Sequence, residues 1–261
     1  MTSSQHIRHS PIYHKLAPIY DIVMKDVDYE EWTDYIDSLI QYHHPHAQSL
    51  LELACGTGTM ALMLEQCDDY KITATDGSEE MIRVARDKAS AGGSSIKWLV
   101  QDMCRLDLAG SFDVIYMVFD SLNYLHRQAD ILMVLEGVRK HMNPGGCFIF
   151  DFTTPAYSPK IETLLNGEKE VSRHFSYRRT STYDSEKRIH TNHFLIEVHH
   201  PETGILSERY EETHRQHIWT LQEIRQIVGR SGLKIVAAYE DFDYIEATGN
   251  SDRITMIVQH A

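Results

Sequence analysis

Three acidic residues in the first half of the chain each belong to, or closely follow, a short apolar run. Glu52 stands in Leu50-Leu51-Glu52-Leu53, Asp76 follows Lys71-Ile-Thr-Ala-Thr75, and Asp102 comes just after Ile96-Lys-Trp-Leu-Val100. Carboxylates at such places can accept hydrogen bonds from a ligand's hydroxyl or amino groups, because ligands of open α/β sheets sit beyond the strand C-termini. Between the first two lies the turn Ala54-Cys55-Gly56-Thr57-Gly58-Thr59, after which Met60, Leu62, Met63 and Leu64 repeat at helical period. Gly56 and Gly58 would let the backbone turn sharply and approach a ligand without a Cβ in the way. The helix opening near Thr59 would present unpaired N–H groups to whatever occupies the turn. Strand, tight turn and helix together predict the entry unit of a nucleotide-binding sheet.

Two cofactors use such a unit. Gly56-Thr57-Gly58-Thr59-Met60-Ala61 satisfies the dinucleotide fingerprint G-x-G-x-x-G/A, a weak signal alone. The wider run Leu-Glu-Leu-Ala-Cys-Gly-Thr-Gly-Thr resembles motif I of the class I S-adenosylmethionine (SAM) methyltransferases, with Ala54 where the family has its usual first glycine. The resemblance implies that Glu52, Ala54, Gly56, Thr57 and Gly58 belong to the cofactor site. Asp76, 24 residues past Glu52 and followed by Gly77, would accept hydrogen bonds from the ribose hydroxyls, as in both cofactor folds. By the same resemblance Met81 packs against adenine, Asp102 receives the adenine amino group, and the N–H of Met103 meets the ring. A dinucleotide dehydrogenase has no particular need for Asp102, which therefore separates the two cofactors.

The segment Tyr13-x-x-x-Ala17-x-x-Tyr20-Asp21 resembles the family's lid over SAM, which assigns Tyr13, Tyr20 and Trp32 to the cofactor. An aromatic face beside a sulfonium is physically reasonable through cation–π attraction. Trp32 also falls on the apolar face of a helix predicted from Asp28 to about Tyr42, with Tyr35, Ile36, Leu39 and Ile40. The strand Phe112–Phe119 ends in Phe119-Asp120-Ser121-Leu122-Asn123-Tyr124, which should face the transferable methyl. That end is not the Asn/Asp-Pro-Pro-Tyr/Phe of nucleobase amino-methyltransferases, and no Pro-Cys dipeptide of the cytosine-5 type occurs. Both absences point to a small-molecule acceptor.

From Glu170 to Trp219 the pattern turns to alternation, with turn signals at residues 183–186 and 201–204, predicting three antiparallel strands. An insertion here resembles the substrate cap of glycine and aminosugar N-methyltransferases. Glu212 and His214 share one strand face because side chains alternate. The carboxylate would orient the imidazole as a proton acceptor and raise its basicity. The competing reading is a pair on an exposed sheet face. Tyr124 and Asn123 are further acceptor contacts. The 16 histidines suggest no metal: His43-His44-Pro45-His46 and His199-His200 lack companion ligands at coordinating spacing, and His214 and His217 point to opposite faces.

The charge balance narrows the partners. With 25 Lys and Arg against 38 Asp and Glu, the net charge of −13 repels a polyphosphate backbone and argues against nucleic acid. No apolar run is long enough to span a membrane, the N-terminus lacks a signal-peptide core, and residues 1–12 are polar and expected to be mobile. Four scattered cysteines without a C-x-x-C pair fit reduced thiols in the cytoplasm.

The expected architecture is an α/β protein with a Rossmann-like seven-stranded mixed sheet, an N-terminal helical lid and an antiparallel β cap. The lid occupies 1–44, the cofactor-binding core 45–154 and 220–261, and the cap 155–219. The expected activity is SAM-dependent methyl transfer by direct displacement to nitrogen or oxygen of a small molecule, an amine among the candidates, in a chain for which a homodimer stays open. The alternatives are a non-enzymatic SAM-binding regulator and an NAD-dependent oxidoreductase.

Overall fold

A computed structural model describes residues 7–261. Of the polar segment 1–12, residues 1–6 lie outside the described residues. Arg8–His9 form a strand (β1), and a 3-10 turn at Ala17–Ile19 runs into the short helix α1 (Tyr20–Val23). Helix α2 (Tyr29–His43) starts where Asp28 accepts the Glu31 N–H at 2.9 Å as its N-cap, close to the expected start of the helix. The core then alternates: β2 (Ser49–Leu53), α3 (Thr59–Leu64), β3 (Lys71–Asp76), α4 (Glu79–Gly92), β4 (Lys97–Val100), β5 (Phe112–Met117), α5 (Gln128–His141) and β6 (Met142–Thr153). Helix α6 (Ser158–Leu165) leads into β7 (Lys169–Val171), β8 (Phe175–Asp184), β9 (Ile189–His199) and β10 (Leu206–His217). Helix α7 (Leu221–Val228), opened by a Thr220–Glu223 capping box, precedes β11 (Leu233–Glu240) and β12 (Arg253–His260).

Seven strands form a mixed sheet in the order β11-β12-β6-β5-β2-β3-β4. Strands β2 to β6 run parallel, and β12 lies antiparallel to β6 and β11, the expected terminal hairpin. The chain winds outwards from β2 through β3 and β4, then returns to β5 on its other side. The switch in strand order therefore falls between β2 and β5, where a crevice forms at the strand ends. Apolar clusters cover both faces: one packs α5 and α7 against the sheet, the other α2, α3 and α4.

The second sheet is larger than the alternation predicted. Four strands are antiparallel, β7 to β10, and β1 adds a fifth by pairing parallel with β10. A third apolar cluster joins Leu16 and Ile19 to Tyr177, Phe194, Ile196 and Tyr210 of this sheet. The stretch 1–44 is thus not one structural piece. Residues 8–23 pack on the five-stranded sheet, whereas α2 packs on the seven-stranded one, because its Trp32, Ile36, Leu39 and Ile40 bury against α3 and the sheet.

Candidate active site

The turn after β2 is built from left-handed backbone at alternate residues, with φ of +55° at Ala54, +55° at Gly56 and +77° at Gly58. Ala54 holds that conformation despite its Cβ, at a cost that cofactor-site loops commonly carry. The turn is fastened to β3 through Asp76: Oδ2 accepts the Gly56 N–H at 2.9 Å and Oδ1 the Ser78 N–H at 2.7 Å. Burial raises the Asp76 pKa while these two N–H groups oppose the rise. Asp102 caps the 3-10 turn Met103–Arg105, its Oδ1 accepting the Cys104 N–H at 2.9 Å.

Glu52 is nearly fully buried and faces the same cleft. Loss of water raises its pKa to about 8, with Asp76 adding to the rise, and its Oε2 has no hydrogen-bond partner. A buried carboxylate in this condition is stable as the acid and is relieved by a cation placed beside it.

The cleft encloses about 670 Å³, and Tyr13, Tyr20 and Tyr29 close it from the N-terminal side. Thr57 Oγ1 donates to Asp21 Oδ1 at 2.5 Å, and Lys88 Nζ bridges Asp21 Oδ2 at 2.9 Å and Thr59 Oγ1 at 2.8 Å. These bonds seat α1 on the glycine turn.

A second chamber of about 350 Å³ adjoins the first, and Tyr13, Tyr20, Phe119 and Tyr124 line both. Their shared wall follows β5, where Phe119 (φ +61°) and Asp120 (φ +52°) are two consecutive left-handed non-glycine residues. Asp151 and Arg253 hold that turn: the Asp120 N–H donates to Asp151 Oδ1 at 3.0 Å, and Arg253 Nη2 donates to Asp120 Oδ1 at 3.0 Å. Arg253 Nη1 also bonds Asp151, and Gln216 of β10 bonds Asp120 from the other sheet. Burial lifts the Asp151 pKa to about 6 against the pull of Arg253.

On the far wall the side chains of Glu212 and His214 are 0% and 2% exposed. The competing picture of a surface pair is thereby overturned, because β1 and residues 13–16 cover that part of β10. Tyr13 donates to the Tyr124 hydroxyl at 2.6 Å, which lies 3.1 Å from His214 Nδ1. His214 Nε2 stands 3.6 Å from Glu212 Oε2. A carboxylate there favours a proton on Nε2 and leaves Nδ1 as the acceptor facing Tyr124. Burial disfavours the charged form of Glu212, but the nearby His214 ring and bonds from the Lys15 and Leu16 N–H groups hold its pKa below the ordinary value.

The family match is consistent with this geometry. Residues 50–146 match a family described as a methyltransferase domain. YqeM of Bacillus subtilis, a protein named as a methyltransferase, is 27% identical over 247 residues, covering 93% of this chain and 95% of its own. A SAM-dependent methyltransferase structure from Clostridium acetobutylicum superposes with a TM-score of 0.77 at 25% identity, covering 95% and 98% of the two chains. This chain is a SAM-dependent methyltransferase with a Rossmann-like class I fold. It is also similar, at 27% identity over 85% of its length and 84% of the other's, to a dTDP-3-amino-3,6-dideoxy-alpha-D-glucopyranose N,N-dimethyltransferase of Streptomyces fradiae.

The methyltransferase uses SAM, and the first cleft has the donors for it. Of the residues expected around the cofactor, Tyr13, Tyr20, Glu52, Ala54, Gly56, Thr57, Asp76, Gly77, Met81, Asp102, Met103 and Phe119 line that cleft. Two do not. Trp32 lines the second chamber, because it packs on Phe119 with the rings tilted and their centroids 4.4 Å apart, and lies under the Arg253 guanidinium. Gly58 faces protein: a Cβ there would lie 2.4 Å from the Trp98 ring, so close packing rather than ligand approach requires the glycine. Tyr124 lines both chambers and His214 the second, whereas Glu212 lies behind His214 and lines neither.

Asp21 and Lys88 escaped the sequence reading. Asp21 sits beside Tyr20 in the lid motif and could have been weighed; Lys88 had only the look of a solvated helix position. Among the described residues no group of three or more His, Cys, Asp or Glu is placed to hold a metal, and no helix is long and apolar enough to cross a membrane.

Proposed function

We propose that this methyltransferase moves the methyl group of SAM to an amine nitrogen of a small molecule held in the second chamber. The junction of the two chambers carries the reading: the wall they share includes Tyr124, whose hydroxyl is bonded to a histidine on the acceptor side. The relative from Streptomyces fradiae, named for an amino-sugar N,N-dimethyltransferase, favours nitrogen. SAM when bound supplies a methyl carbon already activated by its sulfonium. Asp76 is assigned to the ribose hydroxyls, Asp102 and the Met103 N–H to adenine with Met81 packed on the ring, and Glu52 to the cationic amino-acid end. The aromatic wall aligns the acceptor and keeps out water.

An amine arriving as ammonium must lose a proton before its lone pair can attack. Burial raises the Tyr124 pKa, so its hydroxyl stays neutral and relays a proton instead of holding a charge. His214 Nδ1 takes that proton, and Glu212 stabilises the resulting imidazolium. Strands β7 to β10 act as the cap over the acceptor.

The test is SAM turnover with a panel of amino sugars and simple amines, each paired with its hydroxyl analogue. S-adenosylhomocysteine should form with an amine and not with its hydroxyl partner, and His214→Ala should lower kcat about 10²-fold. Transfer to the hydroxyl partners, or none to any amine by protein that binds SAM, overturns the reading.

A further inference from the structure

Glu212 uses its two oxygens for different segments. Oε1 accepts the backbone N–H groups of Lys15 and Leu16, the latter at 3.1 Å, while Oε2 faces His214. Two residues before Lys15 is Tyr13, whose ring closes the cofactor cleft and whose hydroxyl reaches Tyr124. The contacts therefore form a closed circuit, from Glu212 through residues 13–16 to Tyr124, on to His214 and back to Glu212. The circuit crosses the N-terminal segment, the turn after β5 and β10. From these contacts we propose that Glu212 is a positioning residue that latches residues 13–16 to β10, so that Tyr13 seats over the cofactor and His214 turns towards Tyr124 in one event.

Other contacts make the N-terminal segment travel with the five-stranded sheet. The Ser10 N–H donates to Glu211 O at 2.9 Å, Lys25 Nζ meets Glu170 Oε2 at 2.5 Å, and Leu16 and Ile19 share an apolar cluster with that sheet. Towards the seven-stranded half the segment is held mainly by polar contacts, besides the Tyr13 ring on Tyr124: Ser78 Oγ donates to Tyr13 O at 3.2 Å, and Asp21 bonds Thr57 and Lys88. Polar contacts exchange with water more readily than an apolar cluster comes apart. Release of the cofactor product thus requires the segment to lift together with the sheet that carries His214.

The importance of His214 rests on the proton route proposed above, but the latch is measured without any acceptor. Hydrogen exchange would be followed on a peptide spanning residues 10–24 in the full chain, with S-adenosylhomocysteine bound. In the same proteins, ligand dissociation would be timed and the His214 tautomer read from its ring 15N signals. Glu212→Ala should speed exchange and dissociation about tenfold or more, as expected for two lost charge-assisted bonds, and should abolish the Nε2-protonated tautomer. Glu212→Gln keeps an oxygen acceptor and should show a smaller rise in both rates, which keeps the test usable if the alanine variant does not fold. Tyr124→Phe breaks the proton route and the Tyr13 hydroxyl bond but keeps both backbone bonds to Glu212 Oε1, so its exchange should rise less than in Glu212→Ala. Unchanged exchange in both Glu212 variants, or an Nδ1-protonated His214 in wild type, overturns the proposal. If Tyr124→Phe instead keeps full methyl transfer while the Glu212 variants behave as expected, the proton route fails and the latch stands.

Discussion

Replacing Glu52 by Gln should make the protein more stable and the cofactor bind less well. Glu52 is a buried carboxyl with an unpartnered oxygen, and its pKa rises from 4.5 to about 8. Because the folded-state value is the higher one, the folded chain keeps a proton that the unfolded chain has lost between pH 4.5 and 8. Stability due to this group is therefore present below pH 4.5, falls as pH climbs through that window, and levels off above 8. At about 1.4 kcal/mol per pH unit, the wild type carries a penalty of about 3 kcal/mol at pH 7 that an uncharged side chain of the same shape avoids. Thermal unfolding of both proteins without ligand, from pH 4.5 to 9, should show similar Tm values at the acid end. By pH 7 the Gln variant should lead by roughly 6–10 °C. Calorimetric titration with SAM at pH 7, in buffers of different ionisation enthalpy, should show wild type releasing about 0.9 proton as the cofactor's positive charge draws the carboxylate out. The Gln variant should release none and bind more weakly. Parallel pH–Tm curves, or no proton release by wild type, would refute the argument that a buried, cation-seeking carboxylate sits at the end of β2.

The remaining predictions concern the glycine turn and the wall between the chambers. Gly58→Ala should cost about 2–4 kcal/mol in urea unfolding, because a Cβ would meet the Trp98 ring at 2.4 Å on left-handed backbone; pairing it with Trp98→Ala should recover part of the loss. Asp76→Ala frees the Gly56 and Ser78 N–H groups as well as removing the assigned ribose acceptor, so calorimetry should show SAM affinity falling at least about 100-fold. Arg253→Met strands Asp151 as an uncompensated buried carboxyl and should destabilise the fold by about 3–5 kcal/mol at pH 7. Adding Asp151→Asn should restore much of that stability in denaturant titrations, and a simple sum of the two single effects would contradict the pairing.

The core was legible from the chain because its signals are local. The run before Gly56 and the helical period after it each depend on neighbours a few residues away, and each element formed where expected. The seven-stranded sheet and the cleft at its switch point followed from that alternation of strand and helix. The second sheet was legible only in kind. Alternation announced antiparallel strands, but β7 is short, and β1 is two residues with no pattern of its own, added by pairing with β10.

Gly58 and Trp32 mark where residue type misled. A glycine in a nucleotide-binding turn is expected to make room for a ligand, yet here it makes room for Trp98, 40 residues on, and nothing near Gly58 announces that ring. Trp32 carries the aromatic face that suits a sulfonium, but the register of α2 on the sheet turns it to Phe119 and the second chamber.

The fold class, the cofactor turn and the strand-end acids Glu52, Asp76 and Asp102 were thus written in residue order, since strand, turn and helix preferences act over a few neighbouring positions. Tertiary packing alone made Glu212 and His214 a buried pair and brought Tyr13, Tyr124 and His214 within hydrogen-bond reach. Alternation along β10 puts Glu212 and His214 on one face, but whether that face meets water depends on what covers it. The cover is a segment some two hundred residues earlier in the chain. Only the folded arrangement of both sheets brings it there.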